Sequence, residues 1–365
     1  MRQFDYAKLK DQLWDTEVVN YLSQIHEAKG KQTLYLRQKP EQLDRLVEIA
    51  KIQSTEASNE IEGIRTTETR LRQLMREKAA PRNRDESEIA GYRDALNVVH
   101  ESFEYIPLTP NYILQLHKIM LSHTDSAFGG SFKNVQNYIS ATNADGKAYT
   151  LFTPLAPYET PPAVQEICDA YNRAMGEGKV DPLILISVFI HDFLCIHPFL
   201  DGNGRVGRLM ILLYLMEQKL LSYPVIYISY FLKKNRVEYY DRMTEVRAKG
   251  NYEQWVTFFL RALLESAEDA TTTIDKLIAL HDKNAAVISG MGRAAKNAML
   301  VFEYLEANPI IEIRKTAEAL SITFNTASSA IKRLTDAGIL VQTTNASRNR
   351  TFAYEDYLSI LRKGT

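Results

Sequence analysis

Apolar residues recur at helical spacing along most of this chain. After a first stretch of mixed polarity up to about residue 40, Leu43, Leu46, Val47 and Ala50 follow one another at intervals of three, one and three. Residues three or four apart share one face of a helix, so this spacing predicts a mainly α fold. Further segments with such spacing are 67–76, 85–103, 111–121, 163–175, 235–247 and 252–282.

Two segments, 182–196 and 209–216, are far more apolar than the rest of the chain. A membrane span needs about 20 apolar residues with few or no charges. Charged side chains interrupt the whole apolar stretch 182–232, for example at Asp192, Asp201, Glu217 and Lys219. The two segments are therefore predicted to be buried core helices, and no association with a membrane is expected.

The least helical part of the chain is 127–148. It contains Gly129-Gly130, then alternating apolar and polar residues, then Gly146. Alternation bounded by glycines predicts a short β-hairpin or an extended flap.

The last part of the chain, 286–365, has a pattern of its own. Helical segments at 298–305, 313–320 and 325–337 are followed by a strand at 339–341, a polar stretch and an apolar segment at 351–354. This order is that of a winged helix-turn-helix domain. The chain is accordingly divided into an N-terminal helical region (1–105), a central helical core (106–285) and this domain (286–365).

The winged-helix segment offers two kinds of partner. Its third helix carries small polar residues and a Lys-Arg pair, and its wing carries Arg348 and Arg350. Basic residues exceed acidic ones by only 3 in 290–365 (10 against 7), which is a small excess for a protein whose affinity depends on phosphate contacts. DNA binding through this domain and its use for protein docking therefore stay open as alternatives.

Composition narrows the class of protein only a little. Of 365 residues, 45% are hydrophobic and 24% charged, and the formal net charge is −1, so there is no global attraction to nucleic acid or membrane. Two cysteines, Cys168 and Cys195, do not make a disulfide framework. The N-terminus is charged where a signal peptide would be apolar. These features predict a cytoplasmic protein.

The polar segment 197–208, between the two apolar ones, concentrates the chemistry of the chain. Gly202-Asn203-Gly204 can turn backbone N–H groups toward one point, and the start of the next helix adds its positive dipole end there. Arg205 and Arg208 follow one turn apart and can hold charged oxygens. His197 can accept a proton at neutral pH. This segment predicts a polyphosphate site beside a general base.

Asp201 has two interpretations, a helix N-cap or a ligand for Mg²⁺, which binds one or two carboxylates together with substrate phosphates. A second polar segment, 52–63, resembles the end of a helix closed by Gly63, with Ser58 and Glu62 one turn apart. A carboxylate near a helix C-terminus is disfavoured by the dipole. Glu62 is therefore expected to meet a cation from elsewhere in the fold, the alternative being a solvated helix face.

The sequence His-Pro-Phe-Leu-Asp-Gly-Asn-Gly-Arg-Val-Gly-Arg at 197–208 matches the pattern HxFx(D/E)GNGRxxR. It resembles the Fic family of protein adenylyltransferases over roughly residues 40–265. The resemblance implies an α-helical core with a β-hairpin flap, and transfer of AMP from Mg²⁺-ATP to a Ser, Thr or Tyr hydroxyl of a target protein or of the chain itself. His197 would deprotonate the hydroxyl and Asp201 would hold Mg²⁺. The nucleotide contacts would come from 202–208, namely Gly202, Asn203, Gly204, Arg205, Val206, Gly207 and Arg208.

The resemblance extends to three further places. Ser58, Glu62 and Gly63 match the inhibitory pattern (S/T)xxxE(G/N), which implies that Glu62 pairs with Arg208 and displaces the γ-phosphate. The flap 131–139, with Phe132, Lys133, Asn134 and Val135, would align the target segment as an added strand. Tyr239 and Tyr240 occupy the place of adenine contacts in relatives, and helix packing is an equal alternative for them. Relatives also suggest a homodimer.

Two hypotheses from different classes follow. The first is an autoinhibited adenylyltransferase. The second is a DNA-binding regulator whose Fic-like core senses nucleotide. A minor third is removal of AMP by the same site, with Glu62 positioning a water molecule.

Overall fold

The computed structural model describes residues 6–38, 40–76, 78–142, 146–220, 228–343 and 350–362. Helices dominate these residues, and two small antiparallel sheets complete them. The mainly helical fold predicted from the spacing of apolar residues is thus confirmed. The first eleven of these α-helices, in chain order, are α1 (Thr16–Gln38), α2 (Pro40–Ile61), α3 (Glu68–Arg76), α4 (Arg84–Ser102), α5 (Pro110–Met120), α6 (Thr160–Glu177), α7 (Pro182–Ile196), α8 (Asn203–Glu217), α9 (Ser229–Lys234), α10 (Arg236–Lys249) and α11 (Glu253–Ser289). Short 3₁₀ helices occupy Tyr6–Asp11, Phe103–Tyr105, Pro157–Glu159 and Gly292–Ala294.

The chain divides into two compact units. One contains Met1–Pro40 and Ala50–Ala267, and the other contains Glu41–Ile49 and Glu268–Thr365. Within the described residues, no helix is both long enough and apolar enough to cross a bilayer.

The centre of the first unit is the pair α7 and α8. Every residue of α7 from Leu183 to Ile196 is buried, and so is almost all of α8. Asp181 caps α7, since its carboxylate accepts a hydrogen bond from the N–H of Leu183 at 2.9 Å. A helix that is apolar on all sides must be packed on all sides. The segment 197–202 therefore connects two helices that are held firmly in the core.

The β-hairpin lies slightly later in the chain than the alternation of residues suggested. Its strands are β1 (Ile139–Thr142) and β2 (Ala148–Phe152), paired antiparallel. Residues 127–138 contain no strand. They form turns and an extended segment that is hydrogen-bonded to residues 196–199. Residues 131–138 are shaped by hydrogen bonds to 196–199, which alternation in the sequence cannot reveal.

The second unit ends with a small α/β arrangement. Its elements are α12 (Ala295–Ala307), β3 (Ile310–Glu312), α13 (Ile313–Ala319), α14 (Phe324–Asp336), β4 (Val341–Gln342), β5 (Thr351–Ala353) and α15 (Glu355–Arg362). The strand order is β3-β5-β4, with both pairings antiparallel. Helix, turn, helix and an antiparallel pair of strands thus follow one another in this part of the chain, and the winged-helix assignment stays a prediction. Lys332 and Arg333 are exposed on α14, as is Arg350 just before β5, while Arg348 lies outside the described residues.

Candidate active site

His197 ends α7 in a left-handed conformation, with φ 51° and ψ 62°. Its Nδ1 lies 3.2 Å from the carbonyl oxygen of Leu194. Because a carbonyl can only accept, Nδ1 carries the proton and Nε2 keeps a free lone pair. Burial lowers the pKa of His197 to about 4, against a smaller raising effect of the Leu194 hydrogen bond. The ring is therefore neutral at neutral pH and can act as a base through Nε2.

The turn after His197 is fixed by its own side chains. The amide of Asn203 accepts a hydrogen bond from the N–H of Phe199 and donates one to its carbonyl, both at 2.9 Å. Gly202, with φ 83°, is the N-cap of α8. Asp201 is therefore not the N-cap, and its Oδ1 instead accepts the N–H of Gly202 at 2.6 Å. The first turn of α8 follows directly, so its unpaired N–H groups and positive dipole end lie within this turn.

Arg205 is fully buried, with 0% exposure. Its Nη1 lies 2.7 Å from Oε2 of Glu88, and its Nη2 lies 3.5 Å from Oδ2 of Asp201. The other oxygen of Glu88 accepts a hydrogen bond from Nε of Arg84 at 2.8 Å. Arg205 thus reaches the site held between two carboxylates, and Glu88, which the sequence did not single out, sets its direction.

His117 on α5 contacts the turn between α7 and α8 at Asp201 and Phe199. Its Nδ1 accepts the N–H of Gly130 at 3.0 Å, so its Nε2 carries the proton and donates to the carbonyl of Asp201 at 3.1 Å. Its ring stacks on Phe199 with centroids 3.8 Å apart. Burial lowers the pKa of His117 to about 4, which keeps it neutral with one donor and one acceptor. No motif surrounds His117 in the sequence, and nothing there marked it for the site.

The donor set around Asp201 fits a magnesium ion that is bound mainly by substrate. Its carboxylate is 44% exposed and lies at the N-terminal end of α8. Among the described residues, no three His, Cys, Asp or Glu side chains cluster as a metal site. One accessible carboxylate is what Mg²⁺ uses when phosphate oxygens and water complete its octahedron.

Arg208, one turn after Arg205, contacts the end of α2. Its Nε donates to Oγ of Ser58 at 2.7 Å, and its Nη2 donates to the carbonyl of Ser58 at 2.9 Å and to Oε1 of Glu62 at 2.7 Å. Burial works against the charge of Arg208, but the neighbouring Glu62 carboxylate leaves its pKa raised overall. The face of α2 that carries Ser58 is buried and not solvated.

The carboxylate of Glu62 also lies against the start of α8. A Cβ placed on Gly204 would come within 2.3 Å of Oε1 of Glu62, so the oxygen packs directly on the glycine backbone. Only the missing side chain of Gly204 lets an anionic group approach so closely. A carboxylate oxygen therefore occupies the space beside the first turn of α8, where an anion is favoured.

Glu62 is directed there by the way α2 ends. The N–H of Ile64 donates to the carbonyl of Asn59, and the N–H of Gly63 donates to that of Glu60, each at 3.0 Å. With Gly63 at φ 83°, this is a Schellman ending, which positions Glu62 as the last residue before the glycine. Gly63 thus fixes the direction of the Glu62 side chain.

The four flap residues differ in their surroundings. Lys133 is buried, and its Nζ donates to the carbonyl of Ile196 at 3.1 Å; burial lowers its pKa to about 8. Phe132 stacks near Phe199, with centroids 6.1 Å apart. Asn134 and Val135 are exposed. The backbone and the side chain of Lys133 are thus directed toward the motif.

Tyr239 and Tyr240 also differ. Tyr239 is buried, packs on Trp255 with centroids 6.0 Å apart, and its pKa is raised by burial. It lines a small cavity together with Gly204, Gly207 and Arg208. Tyr240 is half-buried beside Arg236. Helix packing is thus established for Tyr239, and the same ring reaches the back of the site.

Comparison with known proteins agrees with this geometry. Residues 107–215 match the model of the Fic/DOC family. The protein adenylyltransferase Fic of Drosophila willistoni is 27% identical over 241 residues, which is 65% of this chain and 43% of that protein. The chain thus spans less than half the length of this curated relative. The predicted resemblance to the Fic family is thus confirmed, and residues 107–215 carry a domain that matches the Fic/DOC family.

Solved structures share the fold. A Fic family protein from Desulfovibrio desulfuricans G20 superposes with a TM-score of 0.60 at 18% identity, covering 94% of this chain and 97% of that one. A Fic domain containing signaling protein from Bacteroides thetaiotaomicron VPI-5482 gives 0.55 at 23% identity, covering 70% and 95%. Most of this chain, and not only the motif, therefore shares its fold with these solved structures.

Proposed function

We propose that this protein transfers AMP from ATP to a hydroxyl group of a protein and that Glu62 restrains the reaction. The observation that carries the proposal is the state of His197. Its Nδ1 is committed to the Leu194 carbonyl, its ring is neutral, and it lies six residues before Asn203, where α8 begins. A neutral histidine next to a helix start that favours an anion supports the proposal, since transfer of a nucleotidyl group requires a base and a phosphate site together.

In the proposed reaction, Nε2 of His197 takes the proton of a Ser, Thr or Tyr hydroxyl. The hydroxyl oxygen attacks the α-phosphorus in line, the new O–P bond forms, and the bond from that phosphorus to the bridging oxygen breaks, so that pyrophosphate leaves. The N–H groups of Asn203 and Gly204 and the charge of Arg205 stabilise the phosphate oxygens, whereas the N–H of Gly202, which the sequence also assigned to the nucleotide, already donates to Asp201. Mg²⁺ held by Asp201 would neutralise further phosphate charge when bound.

Regulation follows because two anions, the Glu62 carboxylate and the γ-phosphate of ATP, would compete for the guanidinium of Arg208. Arg208 would bind the γ-phosphate of ATP, but its donors are engaged by Ser58 and Glu62. The Glu62 carboxylate also fills the space on Gly204. ATP phosphates that bind against the same turn must displace this carboxylate. Release of Glu62 would therefore precede productive binding.

The test uses ATP labelled at either end. Transfer of label from [α-³²P]ATP, but not from [γ-³²P]ATP, to protein in a cell lysate or to the chain itself identifies AMP transfer and excludes phosphorylation. We expect His197→Ala to abolish the transfer. Mass spectrometry of the labelled protein then identifies the modified residue. Label that persists in His197→Ala, or that comes from the γ-position, would disprove the proposal.

A further inference from the structure

The backbone around His197 is strained in a way that needs support. The left-handed region is unfavourable for a residue other than glycine, and His197 has φ 51°. It also follows the last turn of α7, where carbonyl groups have no partner within the helix. The side chain of His197 points correctly only while this conformation lasts. Asn203 holds Phe199 from within the turn, and the carbonyls of 196–198 need donors from elsewhere in the fold.

Two residues of the preceding segment satisfy four consecutive carbonyls of this backbone. Lys133 donates from Nζ to Ile196 at 3.1 Å and from its backbone N–H to Pro198 at 2.9 Å. Asn137 donates from Nδ2 to His197 at 3.1 Å and to Phe199 at 2.9 Å. Each carbonyl from 196 to 199 thus accepts a hydrogen bond from Lys133 or Asn137.

The two donors also hold each other. Nζ of Lys133 donates to Oδ1 of Asn137 at 2.9 Å. Because the amide oxygen is taken by a cation, the amide nitrogen must face His197 and Phe199, and the amide cannot flip. Lys133 is itself buried, with 3% exposure, so each of its hydrogen bonds also offsets the cost of burying an ammonium group.

We propose that Asn137 is a positioning residue for His197. With Lys133 it forms a clamp on the carbonyls of 196–199 that keeps His197 in its left-handed conformation and Nε2 directed at the reacting hydroxyl. The amide of Asn137 is committed to Lys133 and to these carbonyls, so Asn137 acts on His197 through the backbone. The proposal rests on the proposed function, since it assumes that His197 is the base.

Asn137→Asp tests the clamp in a Glu62→Gly parent, because it keeps the shape and replaces the amide donor by an acceptor. The Asp oxygen would face two carbonyl oxygens and repel them. Misplacement of a catalytic group by about 1 Å can cost about 100-fold in rate. We expect kcat for AMP transfer to fall about 100-fold while KM for ATP stays within about threefold, since the phosphate contacts lie on α8.

Asn172→Asp is the matched control. Nδ2 of Asn172 donates to one backbone carbonyl, that of Leu108, at 2.9 Å, away from the motif. It should keep kcat even where it lowers the unfolding temperature. Asn137→Ala, which removes the donor without adding charge, covers the case in which Asn137→Asp does not fold. A crystal structure of this variant should show φ of His197 outside the left-handed region.

The outcomes separate the two proposals. If the parent transfers AMP and both Asn137 variants keep its kcat, or lose no more than Asn172→Asp does, the clamp is disproved and the proposed function stands. If His197 remains left-handed in Asn137→Ala, the clamp is likewise disproved. A parent that transfers no AMP overturns the proposed function, and the role of Asn137 falls with it.

Discussion

Replacing Glu62 by glycine should release the transfer activity. In the structure Glu62 accepts one hydrogen bond from Nη2 of Arg208 at 2.7 Å. The side chain of Arg208 is 2% exposed and that of Glu62 is 32% exposed, so the guanidinium is shielded from water and the carboxylate is partly exposed. Glycine removes the carboxylate from both Arg208 and Gly204, and it leaves the two Ser58 contacts to hold the guanidinium in place.

The size of the effect can be worked out from this contact. A hydrogen bond to a charged group contributes about 1.5–3 kcal/mol, and an exposed ion pair would contribute only about 0–1. The depth of Arg208 places this pair in the first class. Each 1.4 kcal/mol is about a factor of ten, so ATP phosphates that compete with Glu62 lose about 10–100-fold in effective binding. We therefore expect transfer by Glu62→Gly to be about 10–100-fold faster.

The assay is initial-rate transfer from [α-³²P]ATP at several ATP concentrations. Glu60→Gly is the control, since Glu60 lies in the same last turn of α2 and pairs with Lys233 instead. Both substitutions place a glycine near the end of α2, but only one of them frees Arg208. Equal rates for wild type and Glu62→Gly, or equal gains in the two variants, would refute the inhibition by Glu62.

Two more predictions concern residues that support the turn. Glu88→Gln leaves the buried guanidinium of Arg205 without its main counter-charge, so the free energy of unfolding in urea should fall by about 3 kcal/mol. The control is Glu68→Gln, in an exposed pair with Arg72, which should change that free energy by less than about 1 kcal/mol. Equal changes in the two variants would contradict the role of Glu88 as the counter-charge of Arg205. His117 has a pKa of about 4 in the fold and 6.5 as a free side chain, so the unfolded chain binds more protons between these values and stability falls as pH falls. The free energy of unfolding that His117 removes between pH 7.5 and 5 is about 2 kcal/mol. His117→Gln should therefore lose about 2 kcal/mol less stability than the wild type over this range. Parallel stability profiles of the two proteins against pH would show that His117 is not held neutral.

The local part of the site could be predicted from the sequence because its chemistry is consecutive. His197, Asp201 and the glycines lie within one short segment between two apolar helices, and turn chemistry there follows from residue type alone. The family and the mainly helical fold with a hairpin were predictable for the same reason. Helix α1 was not, because among its residues 16–30, whose burial the structure describes, only Val18 and Ile25 are buried. Two apolar positions in a polar stretch give little periodic signal.

The supports of the turn were beyond sequence reasoning for a different reason. His117 is 84 residues from Asp201, and Asn137 is 60 residues from His197. Each is an ordinary polar residue that would be satisfied by water anywhere on a surface, so nothing in its local sequence demands a partner. Packing of α5 and of 131–138 against the core decides which carbonyl it meets.

Glu62 is the instructive exception, since it lies 146 residues from Arg208 and still carried a local signal. A carboxylate beside the Schellman ending of α2 faces the negative end of the helix dipole and is destabilised there by about 0.3–1 kcal/mol unless a cation answers it. Asn137 has no comparable conflict with its neighbours in sequence. A residue in an unfavourable local position implies a distant partner, and the chemistry of the conflict specifies its charge. A residue such as Asn137, which has no unfavourable interaction with its neighbours in sequence, can be found only from the fold.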